Sequence, residues 1–77
     1  MNKQAKIIEI VERLSGKRLA IPADESLFES GVLDSFALTD MIGALEREFS
    51  IRIPDSDLTP RKFDSIERIE AYVDSRA

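Results

Sequence analysis

A chain of 77 residues with a net charge of −4, no cysteine and no histidine leaves room for one small domain, residues 1–77, near the lower size at which a single apolar core suffices. The missing side chains exclude disulfides, thiolate metal sites and the usual general base. No apolar run approaches the length of a membrane span, and Met1-Asn2-Lys3-Gln4-Ala5-Lys6 leads into a charged amphipathic segment, so a soluble cytoplasmic protein is expected.

The first helix is predicted from about Gln4 to Leu14, with Ile7, Ile8, Val11 and Leu14 as its apolar stripe and Ile10 at the margin. Ser15-Gly16 ends it. The connection that follows is long for a helical protein, and long ordered loops are usually functional. Within it Ile21-Pro22-Ala23-Asp24-Glu25-Ser26-Leu27-Phe28-Glu29-Ser30 mixes turn formers, acids and apolar anchors, with Ile21, Leu27 and Phe28 expected to pin it to the core. Then comes Gly31-Val32-Leu33-Asp34-Ser35-Phe36-Ala37-Leu38, where a loop gives way to a second helix of roughly Ser35 to Phe49.

Phe36, Leu38, Met41, Ile42, Leu45 and Phe49 recur at helical spacing on that second helix, while Asp40, Glu46, Arg47 and Glu48 fall on its polar side. Either Asp34 or Ser35 is the expected N-cap. The Ser35 hydroxyl thus stands at a helix N-terminus, where free backbone N–H groups and the macrodipole favour a bound phosphate. Ser50-Ile51-Arg52-Ile53-Pro54 breaks the period and reads as an extended loop with two core contacts, since a lone short strand has no partner. A turn and a short helical segment follow through about Lys62, with Pro60 in its first turn. The last helix is predicted from Ser65 to Ser75, capped by Asp64-Ser65 with Glu67 completing a capping box. Its buried stripe is Ile66, Ile69 and Val73, with Tyr72 beside them. The fold class is therefore all-α: a small bundle of three principal helices plus one short helix, with a long first loop.

Charge is unevenly spread. Residues 1–22 carry a net +3, residues 23–57 a net −7 and residues 58–77 a net zero. Acidity concentrated around Ser35 attracts basic partner surfaces and repels nucleic acid. Asp40 and Glu46 are read as surface acids that speed such association.

Leu27-Phe28, Gly31-Val32-Leu33-Asp34-Ser35-Phe36, Phe49-Ser50-Ile51-Arg52-Ile53-Pro54, Leu58 and Phe63-Asp64-Ser65-Ile66 occur in the order found in acyl carrier proteins and peptidyl carrier domains, which the chain resembles over nearly its whole length. Phe36 departs from the leucine that most often follows the serine in that family. The resemblance implies a 4'-phosphopantetheine arm on Ser35, with Asp34 part of the motif read by a phosphopantetheinyl transferase. It also implies a cargo of acyl or aminoacyl thioesters, passed on by an adenylating ligase or an acyl synthase or transferase. Phe36, Leu38, Thr39, Asp40 and Gly43 are the candidate partner-facing residues, although some must also pack internally.

An unactivated serine hydroxyl is a poor nucleophile without a base and the acids are dispersed along the chain, so no catalytic residue and no metal ligand is expected. The protein presents cargo and the partners react it; a monomer is expected. Asp57-Leu58-Thr59-Pro60-Arg61-Lys62-Phe63-Asp64 further resembles discrete carriers served by adenylating ligases, including D-alanyl carrier proteins. A fatty cargo would need a space among Ile42, Leu45, Ile53, Leu58 and Ile66, and a core this small leaves little volume for one. The alternative function is an unmodified carrier-like bundle serving as an interaction subunit, against which the Asp34-Ser35 pair argues.

Overall fold

The computed structural model describes residues 3–34 and 36–76. Three helices, α1 (Lys3–Ser15), α2 (Ala37–Phe49) and α3 (Ile66–Arg76), are joined by a long first loop and by two short 3-10 turns, Asp55–Asp57 and Pro60–Phe63. Among the described residues there is no strand. The Ile51 to Pro54 stretch is an extended loop, with Ile53 buried and Ile51 packed against the core.

α1 buries Ile7, Ile10 and Val11, a correction to the predicted stripe. At 100° per residue, positions 7, 10, 11 and 14 cluster on one side, and Ile8 lies well round from them. Ile10 is accordingly 3% exposed, while Ile8 and Leu14 pack only partly against the core. The helix stops where Gly16 takes a left-handed φ of +71° and returns its N–H to the Glu12 carbonyl at 2.9 Å, a conformation that a residue without Cβ adopts readily.

α2 contributes Leu38, Met41, Ile42 and Leu45, and α3 contributes Ile66, Ile69 and Val73. α1 packs against both of the other helices. Phe63 is fully buried where the second 3-10 turn meets α3, and its ring meets Tyr72 edge-on at 4.9 Å and 61°. Pro60 opens that turn, where its missing N–H costs no hydrogen bond.

The start of α3 departs from expectation in one respect. Ser65 is the cap, its Oγ accepting the Arg68 N–H at 3.1 Å. Asp64 instead accepts the Ser26 hydroxyl on Oδ1 at 2.5 Å, and the Glu67 N–H donates to the Ala23 carbonyl at 2.9 Å. The anticipated capping pair is thus used to fasten the first loop.

Candidate functional site

The first loop reaches Asp34 from two buried leucines. Leu27 and Leu33 both enter the core, and the Leu33 N–H donates to the Leu27 carbonyl at 3.0 Å. Leu27 in turn donates its N–H to the Asp64 carbonyl at 2.6 Å. Ser26 Oγ, besides donating to Asp64, accepts the Glu29 N–H at 3.0 Å. These bonds satisfy backbone groups that a loop lying against apolar side chains would otherwise leave without partners. Gly31 closes the turn with φ +83°, a region that costs an ordinary residue about 1 kcal/mol or more.

Asp34 is exposed and accepts the Ala37 N–H on Oδ1 at 3.0 Å, with its carbonyl accepting the same N–H at 3.1 Å. These two bonds close a turn ahead of α2, and the expected capping role is corrected: the N-cap position is Phe36, which makes no side-chain cap bond, because regular α-helical bonding begins only at Ala37. Ser35 lies outside the described residues. Phe36, next in sequence, has helical backbone angles and is 86% exposed, an unusual state for a large apolar side chain.

The five residues read as partner-facing separate by environment. Phe36, Thr39 and Asp40 are exposed, Gly43 is half-buried and Leu38 is in the core. Leu38 turns inward with Met41, Ile42 and Leu45, the buried stripe of α2 at helical spacing. Leu33, from the preceding loop, is buried in the same core. That helical spacing was the available sequence signal for Leu38.

A cleft of about 440 Å³ adjoins the motif, lined by Phe28, Gly31, Val32, Leu33, Asp34 and Pro60. Mostly apolar walls with one carboxylate at the rim suit an arm built of amide and methylene groups. Among the described residues, no three His, Cys, Asp or Glu side chains come together as a group able to hold a metal ion. Nor is any helix among them long and apolar enough to cross a membrane. Ile42, Leu45, Ile53 and Ile66 are all buried in the core, with Leu58 partly buried against it.

The phosphopantetheine attachment site family matches residues 5–73. The D-alanyl carrier protein of Lactobacillus acidophilus is 31% identical over 75 residues, covering 97% of this chain and 95% of that protein. The D-alanyl carrier protein of Streptococcus sanguinis is 36% identical over 69 residues, covering 90% of this chain and 87% of that one. That of Leuconostoc mesenteroides is 29% identical over 75 residues, with 97% and 96% covered. The anchored loop, the aspartate that closes the turn into α2 and these matches agree: the chain belongs to the phosphopantetheine attachment site family, as a non-catalytic carrier of acyl or aminoacyl groups on a covalent 4'-phosphopantetheine arm.

Proposed function

We propose that Ser35 is the residue that carries the arm, with Asp34 read by the phosphopantetheinyl transferase and with a D-alanyl or similarly small aminoacyl group as cargo. The observation that carries this reading is the exposure of both sequence neighbours, Asp34 and Phe36, beside a cleft whose rim includes Asp34. When bound, the arm supplies the thiol on which cargo is held as a thioester, and the chain itself has no cysteine. The chain's own residues hold the attachment point. Leu33 anchors it, Asp34 closes the turn into the helix that follows by accepting the Ala37 N–H, and Phe28, Val32 and Pro60 offer an apolar wall.

The small cargo is supported by the names of the relatives and by the small size of a 77-residue core, in which Met41, Leu45, Phe63 and Ile69 are fully buried. Carriers work with a phosphopantetheinyl transferase and with ligases or synthases; here the loading partner is inferred to be an adenylating ligase. Phe36, Thr39 and Asp40 are the side chains available for it, and the carrier is inferred to act as a cytoplasmic monomer.

Incubation with a broad-specificity transferase, coenzyme A and magnesium should add one arm to the wild-type chain and none to Ser35→Ala, as read by intact mass. Loading of the product by a D-alanine-activating ligase should exceed loading with long fatty acids. An arm on Ser30 or Ser65 would refute the attachment residue. Preferential loading by long fatty acids would refute the cargo.

A further inference from the structure

The second 3-10 turn is a wall between two clefts. Pro60 lines the one beside Asp34, whereas Arg61 and Lys62 line a separate opening of about 420 Å³ completed by Arg68, Ala71 and Tyr72 of α3. Three cations thus rim a surface whose remaining lining is an alanine and an aromatic ring. They do so in a protein of net charge −4.

Asp57, the carboxylate bonded to this rim, has both oxygens engaged. Its Oδ1 takes Lys62 Nζ at 2.6 Å and its Oδ2 takes the Tyr72 hydroxyl at 2.6 Å. Lys62 is therefore offset locally, and Arg61 and Arg68 supply the positive excess. One Arg68 N–H donates to the Arg61 carbonyl at 3.2 Å, which steadies the guanidinium against the turn. A guanidinium has five N–H donors, so most of its capacity is still available to an incoming acceptor.

We propose that this cleft docks an acidic segment of a partner enzyme, with carboxylates engaging Arg61 and Arg68 while an apolar side chain lies against Ala71 and Tyr72. This deepens the carrier reading and rests on it. Arginine forks match carboxylates two bonds at a time, which fixes orientation as well as adding energy. An extended anionic surface fits less well, because a membrane or nucleic acid would also meet the −7 of residues 23–57, and like charges repel. A short peptide segment need touch only the cleft. Since Pro60 directly precedes Arg61, a partner gripped there is held next to the Asp34 cleft. Acidic and basic patches set side by side also fix the register of docking.

The test is an NMR titration of the isotope-labelled, unmodified protein with an acetylated hexapeptide of alternating glutamate and leucine. The same peptide with lysine for glutamate, inorganic phosphate and phosphatidylglycerol vesicles serve as comparison arms. The glutamate peptide should shift the amides of Arg61, Lys62, Arg68, Ala71 and Tyr72, and Arg61→Glu should weaken it about fivefold or more without lowering the melting temperature. Arg68→Gln should weaken it less, in the same direction. Equal binding of the lysine peptide, stronger shifts of those amides by phosphate or vesicles, or unchanged affinity in both variants would overturn the proposal. The titration uses unmodified protein, so its outcome is independent of whether Ser35 takes the arm.

Discussion

Glu46 and Ile53 are joined across seven residues: the Ile53 N–H donates to Glu46 Oε2 at 2.8 Å, drawing the loop after α2 back along the helix. Glu12 repeats the arrangement on α1, its Oε2 accepting the Leu19 N–H at 2.7 Å, again seven residues on. In each case a helical carboxylate replaces the backbone partner that an extended loop lacks. Glu46 therefore has a structural role that its reading as a surface acid did not include.

Glu46→Ala should destabilise the protein by about 1–3 kcal/mol, because it leaves the N–H of buried Ile53 without an acceptor. Glu46→Gln retains an acceptor oxygen and should cost less than half as much. Urea denaturation followed by circular dichroism measures both. Equal losses in the two variants would mean that charge, not the hydrogen bond, is what matters.

Phe36 and Leu38 lie two positions apart and should respond oppositely. Phe36→Ala removes an exposed ring, so stability should stay within about 0.5 kcal/mol of wild type, while kcat/KM of the phosphopantetheinyl transferase should fall several-fold. Leu38→Ala empties a core position and should cost about 2–4 kcal/mol. Melting curves paired with transferase kinetics separate the two effects. A strongly destabilised Phe36→Ala would show that its ring packs internally.

Left-handed backbone occurs at Gly31, with φ +83°, and at Ser50, with φ 53°. A Cβ at Gly31 would meet nothing within 4 Å, so Gly31→Ala tests the backbone alone and should cost about 1 kcal/mol. Ser50→Gly relieves the same strain and should gain roughly 0.5 kcal/mol. Chemical denaturation should give opposite signs for the pair, and a stabilising Gly31→Ala would contradict the conformational argument.

Tyr72, the single tyrosine in the chain, has its pKa pushed up to about 12, first by burial and then by its hydrogen bond to Asp57. A raised folded pKa means that the unfolded chain ionises first, so this contribution to stability is complete below pH 10 and is lost as the pH climbs to about 12. Asp57 moves the other way, held below the usual carboxylate range first by the Lys62 hydrogen bond and then by that of Tyr72. Its contribution is present above the ordinary aspartate pKa and disappears as acid protonates the folded carboxylate. Phenolate absorbance should titrate near the high value in wild type. In Asp57→Asn it should titrate lower yet still above 10, because burial persists; an unchanged midpoint would eliminate the Asp57 contribution.

Local chemistry was legible in the residues alone. Helices obey a 3.6-residue period, and their ends follow from Gly16, Pro60, the Asp34 turn and the cap at Ser65, all interactions within a few positions along the chain. The motif around Asp34 was readable through its resemblance to the attachment site of carrier proteins. Ser35 lies outside the described residues, so its role rests on that motif and on its neighbours.

Partners distant in the chain were decided only by the tertiary structure. Ser26 reaches Asp64 across 38 positions, Phe63 fills the core beside Tyr72, and Ile10 takes the place expected of Ile8. Glu46 was not legible either, since a carboxylate on the polar side of a helix carries no mark of the N–H that will approach it. Hydrophobic burial is non-directional and tells a side chain to hide without saying behind what. Hydrogen-bond partners are set once packing brings unsatisfied groups together, and that depends on how all three helices come to rest.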